Sequence, residues 1–465
     1  MQLSRTPTAR TMWVILVLVL VADALDLIDA TITNIAAPTI VRDIGGGESL
    51  VKWLSASYAL SLGTLLVVGG RLGDRYGQRK LFLIGMAGFT TASALCGLAL
   101  DPALLIVARA LQGVFGALLI PQGMAIMTKT FPKAMLAKAF NAFGPLLGIA
   151  AIGGPILGGF IIDADIAGLS WRPMFLINVV LGIAGLIVAF KVLPRDAGNP
   201  EAKVDVLGAL WLGAGMLGLL YGLIDGSENG WTALPILCLI VAAAAFAGFA
   251  HRLRTAAAPL LKPVLLRNRG FTSGLAIGVL YFAAINGLMY VVSLFMQLGL
   301  GYDPSRTALG LLPVTIGIMV GAGTAMALVT KLGRRLVVIG LSITLAGGLG
   351  LLAVVTASTV STVSLSAALL VIGAGAGVSF GTIFNTALGD VDPDEAGAAS
   401  GSLSSIQQIA SALGTATVTS VYFAAVADSG QEHAMELSLF VVLGIAAACL
   451  AVVRLLPRQA AALEH

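Results

Sequence analysis

Three acids stand at three-residue spacing in the first long apolar run of the chain: Asp23, Asp26 and Asp29. On a helix each consecutive pair is adjacent. A carboxylate at the centre of a membrane helix costs ~2.5–3.5 kcal/mol on insertion scales, so three facing lipid would cost roughly 7–10 kcal/mol. They must face a bundle or a watery cavity, or carry a proton. Arg109, inside a second apolar run, is the natural partner. Counted at ~1.5 Å per residue from the outer ends of their runs, Asp29 lies ~12 Å deep and Arg109 ~9 Å deep. A neighbouring cation favours an ionised carboxylate, whereas burial and a second acid favour a neutral one. Such a group can exchange a proton when a cavity opens alternately to the two sides. The plainer reading is a static ion pair that fixes helix packing. Asp23, nearer the cytoplasmic end, reads as structural or cavity-solvated.

The elements that position these residues follow from composition. Of 465 residues, 58% are hydrophobic and 11% charged, with mean hydropathy +0.98. A soluble domain carries about 25% charged residues, so this chain belongs in lipid. Cys96, Cys238 and Cys449 are isolated in apolar stretches, which argues against a disulfide framework or a metal site. The net charge of +4 is dispersed, and no nucleic-acid partner is expected. A bilayer core needs roughly 20 apolar residues per helix. Fourteen such runs can be read: 13–37, 53–72, 81–99, 103–126, 138–162, 173–191, 205–224, 234–250, 271–298, 306–328, 336–356, 360–384, 396–426 and 435–456. With the N-terminus inside, 22 of the 27 Lys and Arg fall in cytoplasmic segments. Arg42, Lys52, Arg172 and Arg306 fall outside, and Arg109 alone lies well within a span, away from its ends. Both termini are therefore expected in the cytoplasm. No cleavable leader is expected, because the first run is too long, and the end of the chain reads as a tag remnant.

Six runs, two runs and six runs predict an all-α polytopic protein of two six-helix bundles with two inserted helices. The expected boundaries are 1–192, 193–258, 259–458 and a tail at 459–465. A shift of 256 residues carries Arg75 onto Lys331 and Gly77-Gln78-Arg79 onto Gly333-Arg334-Arg335. Parallel repeats of this kind place a substrate at the interface between halves, near the midplane.

Several motifs resemble those of the major facilitator superfamily. Gly70-Arg-Leu-Gly73-Asp74-Arg75-Tyr-Gly77-Gln-Arg79-Lys80 looks like its signature loop. Arg109-Ala-Leu-Gln112-Gly113 is similar to its second motif, and Gly148 with Gly154-Pro155-Ile-Leu-Gly158-Gly159 to the motif of its antiporters. Leu27-Ile-Asp29-Ala-Thr31-Ile-Thr-Asn34-Ile-Ala-Ala-Pro38, Trp171 to Asn178 and Ala396 to Gly401 resemble the fourteen-helix drug:proton antiporters. The resemblance implies the major facilitator fold and a proton-coupled antiporter in the cytoplasmic membrane, surrounded by lipid and acting as a monomer. It implies export of amphipathic or lipophilic small molecules, drugs and antibiotics among them, by alternating access. The proton gradient would supply the energy, with no cofactor. Asp26, Asp29 and Arg109 would carry coupling.

Asp74 is the acid of the signature loop, and Asp390, Asp392, Asp394 and Glu395 are expected to meet that loop when the cytoplasmic side closes. The alternative is that these acids cap the helix that follows. The helix 5 glycines are expected to permit close approach and to seal the outer side. Under the repeat shift Asp29 falls on Ile285 and Arg109 on Leu365, so proton chemistry belongs to the first half. The lack of membrane-embedded acids in the second half weakens the case for dicationic substrates. Asn34, Tyr58, Gln112, Tyr281, Asn286, Tyr290, Asn385 and Gln407 are substrate-binding candidates. A dedicated metabolite or lipid transporter remains an alternative. So do a membrane enzyme, against which stands the absence of a paired metal-ligand His motif, and a receptor without turnover; the absence of a P-loop argues against an ATP-driven pump.

Overall fold

The computed structural model describes residues 9–132, 153–201, 203–257, 259–260, 263–357, 360–388, 391 and 396–455. These residues form helices and no strand, as a lipid-embedded chain requires when every backbone polar group must be satisfied internally. The first half holds α1 (Ala9–Ile44), α2 (Gly47–Tyr76), α3 (Gln78–Gly97), α4 (Pro102–Thr130), α5 (Gly153–Asp163) and α6 (Pro173–Val192). Then follow α7 (Val206–Asn229), α8 (Ala233–Thr255), a short α9 (Pro263–Arg267), α10 (Arg269–Leu294), α11 (Pro304–Gly310) and α12 (Leu312–Leu332). The chain continues with α13 (Arg334–Val355), α14 (Thr362–Leu388) and α15 (Ala396–Val452). A π turn, Phe295–Gly299, extends α10, and Gly430 at φ 81 breaks α15 into two spans. Among the described residues, 13 helices are long and apolar enough to cross a bilayer. The part of the fifth predicted span before residue 153 lies outside the described residues.

Polar residues fix the helix starts. Asp101 accepts from Leu104 N at 2.9 Å ahead of Pro102, a cap followed by proline in the first turn. Asp205 accepts from Gly208 N at 3.0 Å and pairs with Arg252 Nε at 2.9 Å, which pins α7 to α8. The starts of α2 and α3 follow glycines at positive φ, Gly46 (89°) and Gly77 (96°), where a side chain would be strained.

Small residues set the helix spacing. A Cβ at Gly113 of α4 would collide with the Tyr58 carbonyl of α2, and one at Gly414 of α15 with the Ala283 carbonyl of α10. Backbones approach this closely only where the interface lacks side chains. The inserted α7 packs Met216, Leu220 and Ile224 against Ala56, Ala59 and Leu60 of α2 and Ile409, Ala412 and Ala416 of α15. It therefore lies along the seam of the two halves, and most of α8 remains exposed beyond it.

Hydropathy underestimates the helix lengths. Lys52, expected in an outer loop, stands inside α2 and is 1% exposed, with Nζ 5.6 Å from the centroid of the Phe423 ring. Lys52 thus belongs to a helix rather than to a loop. The reason is geometric: α2 starts where the Gly45–Gly47 turn ends, several residues before its apolar run.

Candidate functional site

Asp29 of α1 and Arg109 of α4 form an ion pair through Oδ2 and Nη1, both side chains at 0% exposure. Arg109 Nη1 also donates to Gln112 Oε1 at 2.9 Å, one helical turn further on, and its Nε donates to the Leu54 carbonyl at 3.1 Å. The second Asp29 oxygen accepts from Asn178 Nδ2 at 2.7 Å and Gln112 Nε2 at 3.2 Å. Gln112 Nε2 also lies 2.8 Å from Ser93 Oγ, and Cys96 Sγ donates to Gln112 Oε1 at 3.1 Å. Five helices, α1, α2, α3, α4 and α6, thus converge on one buried carboxylate–guanidinium pair. In a low-dielectric interior such a pair persists only when further hydrogen bonds satisfy its remaining atoms. Arg109 Nη2 and Asn178 Oδ1 are buried without a hydrogen-bond partner among the described residues.

Tyr58 links this pair to the second acid. The guanidinium carbon of Arg109 lies 4.4 Å from the centre of the Tyr58 ring, and the Tyr58 hydroxyl donates to Asp26 Oδ1. The cation is held electrostatically over the ring face. Asp26 is 9% exposed, and among the described residues no cation lies within salt-bridge distance of it. Asp23 is less buried than either.

The remaining candidates are placed as follows. Asn34 Oδ1 accepts from Ser55 Oγ at 3.0 Å, and its carbonyl accepts from Ser293 Oγ of α10 at 3.3 Å. Tyr281 and Tyr290 donate their hydroxyls to backbone, at 2.6 Å to the Ala376 and Val51 carbonyls respectively. Both rings are buried, as is Gln112, so in this arrangement they hold helices together. Asn286 Nδ2 donates to its own helix at Phe282 O, and Gln407 is half-buried. The surroundings of the Asn385 side chain lie outside what is described.

Around the signature loop, Asp196, from the segment after α6, accepts from Gln78 N at 2.5 Å and Arg79 N at 3.1 Å. Arg79 Nη2 donates to the Phe190 carbonyl at 2.7 Å, and Arg75 stacks on Tyr76 at 5.4 Å. Asp74 Oδ1 accepts from Gln78 Nε2 at 3.3 Å. A Cβ at Gly73 would collide with the Gln122 side chain, whereas Gly70 has only Pro121 within 4 Å. The expected partners Asp390, Asp392, Asp394 and Glu395 lie outside the described residues, as does Gly148. In α5, a Cβ at Gly154 or Gly158 would collide with Thr31 or Ile32 of α1, and Pro155 shares this segment. A Cβ at Gly159 would stand 2.8 Å from Pro304 O, across the boundary between halves.

The same end of the molecule is closed by further bridges. Gln297 Nε2 donates to Ile35 O at 3.1 Å, and Ser305 N donates to Asp163 Oδ2 at 2.9 Å. The largest apolar cluster, from Ile32 and Leu54 to Tyr290 and Tyr422, fills this end.

Sequence analysis missed Asn178 as a member of the site, along with Ser93 and the Leu54 carbonyl. A signal for Asn178 existed: between Pro173 and Lys191 it is the one hydrogen-bonding side chain in α6.

The described residues thus make a multi-pass helical chain with a buried charge network in one half and a seam between two halves. The sequence model of the Major Facilitator Superfamily matches residues 19–415, and the chain belongs to that family. It is 39% identical over 424 residues to a protein of Streptomyces coelicolor named as a probable actinorhodin transporter, covering 90% of this chain and 73% of that one. It is 33% identical to the puromycin resistance protein of Streptomyces alboniger, covering 92% and 85%. The tetracenomycin C resistance and export protein of Streptomyces glaucescens is 32% identical, covering 97% and 81%. Among solved structures, a bacterial homolog of the human lysosomal transporter Spinster, inward-facing and occupied, superposes with TM-score 0.67 at 14% identity, covering 97% of each chain. The POT family transporter PepTSo gives 0.66 at 14%, covering 97% and 98%. These two likenesses concern the fold alone. The chain is therefore a multi-pass membrane transporter of small molecules.

Proposed function

We infer that the protein is a proton-coupled antiporter that exports amphipathic or lipophilic small molecules, antibiotics among them, across the cytoplasmic membrane, with both termini inside. The carrying observation is the pair of carboxylates with different partners: Asp29 ion-paired to Arg109, and Asp26 hydrogen-bonded to Tyr58. Asp26 can exchange a proton without breaking an ion pair. Asp29 can do so only by releasing Arg109, and that release frees α4 from α1. A proton entering from outside thus has two stations joined by the Tyr58 ring. Its arrival at Asp29 converts a local charge change into helix movement. The names of the antibiotic relatives support the substrate class and the direction. The closed end, with its bridges from α1, α2 and α5 to the second half, supports a cycle in which that end must part to release substrate. The proton gradient alone supplies the energy, and Asp26, Asp29 and Arg109 carry the coupling. Asn34 and Gln407 are the candidates best placed to meet substrate without first breaking the buried network.

The test is transport into inside-out vesicles with and without a pH gradient. Asp29→Asn is expected to lose gradient-driven transport while its amount in the membrane stays near wild type. Substantial gradient-driven transport in that variant would refute the role of Asp29.

A further inference from the structure

At the end of the molecule that carries Arg71–Lys80, a cavity of about 570 Å³ lies between the end of α12, the start of α13 and the turn Val453–Leu455. Its walls carry Lys331, Arg334, Arg335 and Arg454 over Leu332, Val338 and Val453. Arg334 Nη1 donates to the Arg454 carbonyl at 2.9 Å, which ties the chain's last turn to the start of α13. Lys331, Arg335 and Arg454 are exposed and make no ion pair among the described residues. The internal repeat offers a comparison. In the first half the same loop, Arg75 to Arg79, receives an anion from the chain itself: the Asp196 carboxylate on the amides of Gln78 and Arg79. The 256-residue shift carries Arg79 onto Arg335 and Asp196 onto Val452, two residues before Arg454. At the matching sequence position the second half thus has an apolar residue with a cation two residues on, and among the described residues no carboxylate accepts from Arg335 N.

We propose that this cavity is a binding site for the phosphate of an anionic phospholipid, which supplies from the bilayer the negative charge that Asp196 supplies in the first half. Position and shape select a lipid over a free anion. The cations form a rim at the end of the bundle, and Val338 (39% exposed) and Ile339 (43% exposed) continue from it along the outer face of α13. A phosphate on Lys331, Arg335 and Arg454 leaves its acyl chains to run down that apolar face. Basic pockets between membrane helices hold anionic head groups in this way. The site is independent of the proton chemistry proposed above.

Native mass spectrometry of the whole protein, titrated with phosphatidylglycerol, phosphatidylcholine or inorganic phosphate, tests it. Wild type is expected to retain one phosphatidylglycerol that phosphatidylcholine does not replace. The triple variant Lys331→Gln, Arg335→Gln, Arg454→Gln is expected to bind it at least about tenfold more weakly. Lys129→Gln, Lys191→Gln, Arg254→Gln removes equal charge elsewhere and is expected to retain it. Val452→Asp, which places a carboxylate at the sequence position matching Asp196 and two residues from Arg454, is expected to weaken lipid retention without removing a cation. Equal retention by the two triple variants would overturn the proposal, as would displacement of the lipid by inorganic phosphate at equal concentration.

Discussion

Asn178 Nδ2 lies 2.7 Å from Asp29 Oδ1, so α6, at the outside of the first half, holds the same carboxylate that α4 pairs with a guanidinium. The two partners take different oxygens, and the amide therefore orients the acid while the cation neutralises it. Replacing Asn178 by Leu keeps the volume and removes the donor. A hydrogen bond to a charged group contributes ~1.5–3 kcal/mol, so gradient-driven efflux is expected to fall by about tenfold or more. Asn178→Gln should recover part of it. Vesicle transport normalised to protein amount checks both.

Removing one member of the ion pair strands the other. Arg109→Leu leaves Asp29 buried without its cation, a loss of about 3–5 kcal/mol where breaking buried pairs has been measured. The double variant Asp29→Leu, Arg109→Leu leaves no lone charge and is expected to regain much of the melting temperature while remaining inactive in coupled transport. Thermal unfolding in detergent, read beside efflux, separates the structural share of the pair from the functional one.

Tyr58→Phe deletes the hydroxyl that donates to Asp26 but keeps the ring beneath Arg109. Stability is expected to change by only about 1 kcal/mol. The pH dependence of efflux is expected to shift, because the proton station loses its partner while the ion pair keeps its own. An unchanged pH profile would separate Asp26 from coupling.

Ser305 N donates to Asp163 Oδ2 at 2.9 Å, across the boundary between halves at the closed end. With Cys96, Cys238 and Cys449 replaced by Ala, the pair Asp163→Cys, Ser305→Cys is expected to cross-link under mild oxidation and to arrest transport. Reductant is expected to restore it. Gel mobility and flux measured on the same sample check this, and a cross-linked protein that still transports would show that this end need not part.

Much of this architecture was legible in the sequence. Spans could be counted because a helix rising ~1.5 Å per residue must match a bilayer of fixed thickness, so lengths and charges along the chain carry the information. The same axial arithmetic put Asp29 and Arg109 at one depth. Lys52 was misplaced for a related reason: hydropathy marks the lipid core, whereas α2 starts at a glycine turn beyond it.

What depth arithmetic cannot give is the direction in which a side chain points around its helix. That is set by neighbours. The contact of Gly113 with the Tyr58 backbone brings α2 against α4, and the Tyr58 ring then meets Arg109 while its hydroxyl meets Asp26. Asn178 was visible as a lone amide in an apolar helix, but only the packing of α6 turned it towards Asp29 rather than a neighbouring backbone. Asp196 likewise looks unremarked in sequence, and gains meaning only when the segment after α6 folds back onto the signature loop. The sequence alone determined most of the spans and the common depth of Asp29 and Arg109. The tertiary structure decided which charges meet, because helix rotation is fixed by side-chain packing between segments far apart in the chain.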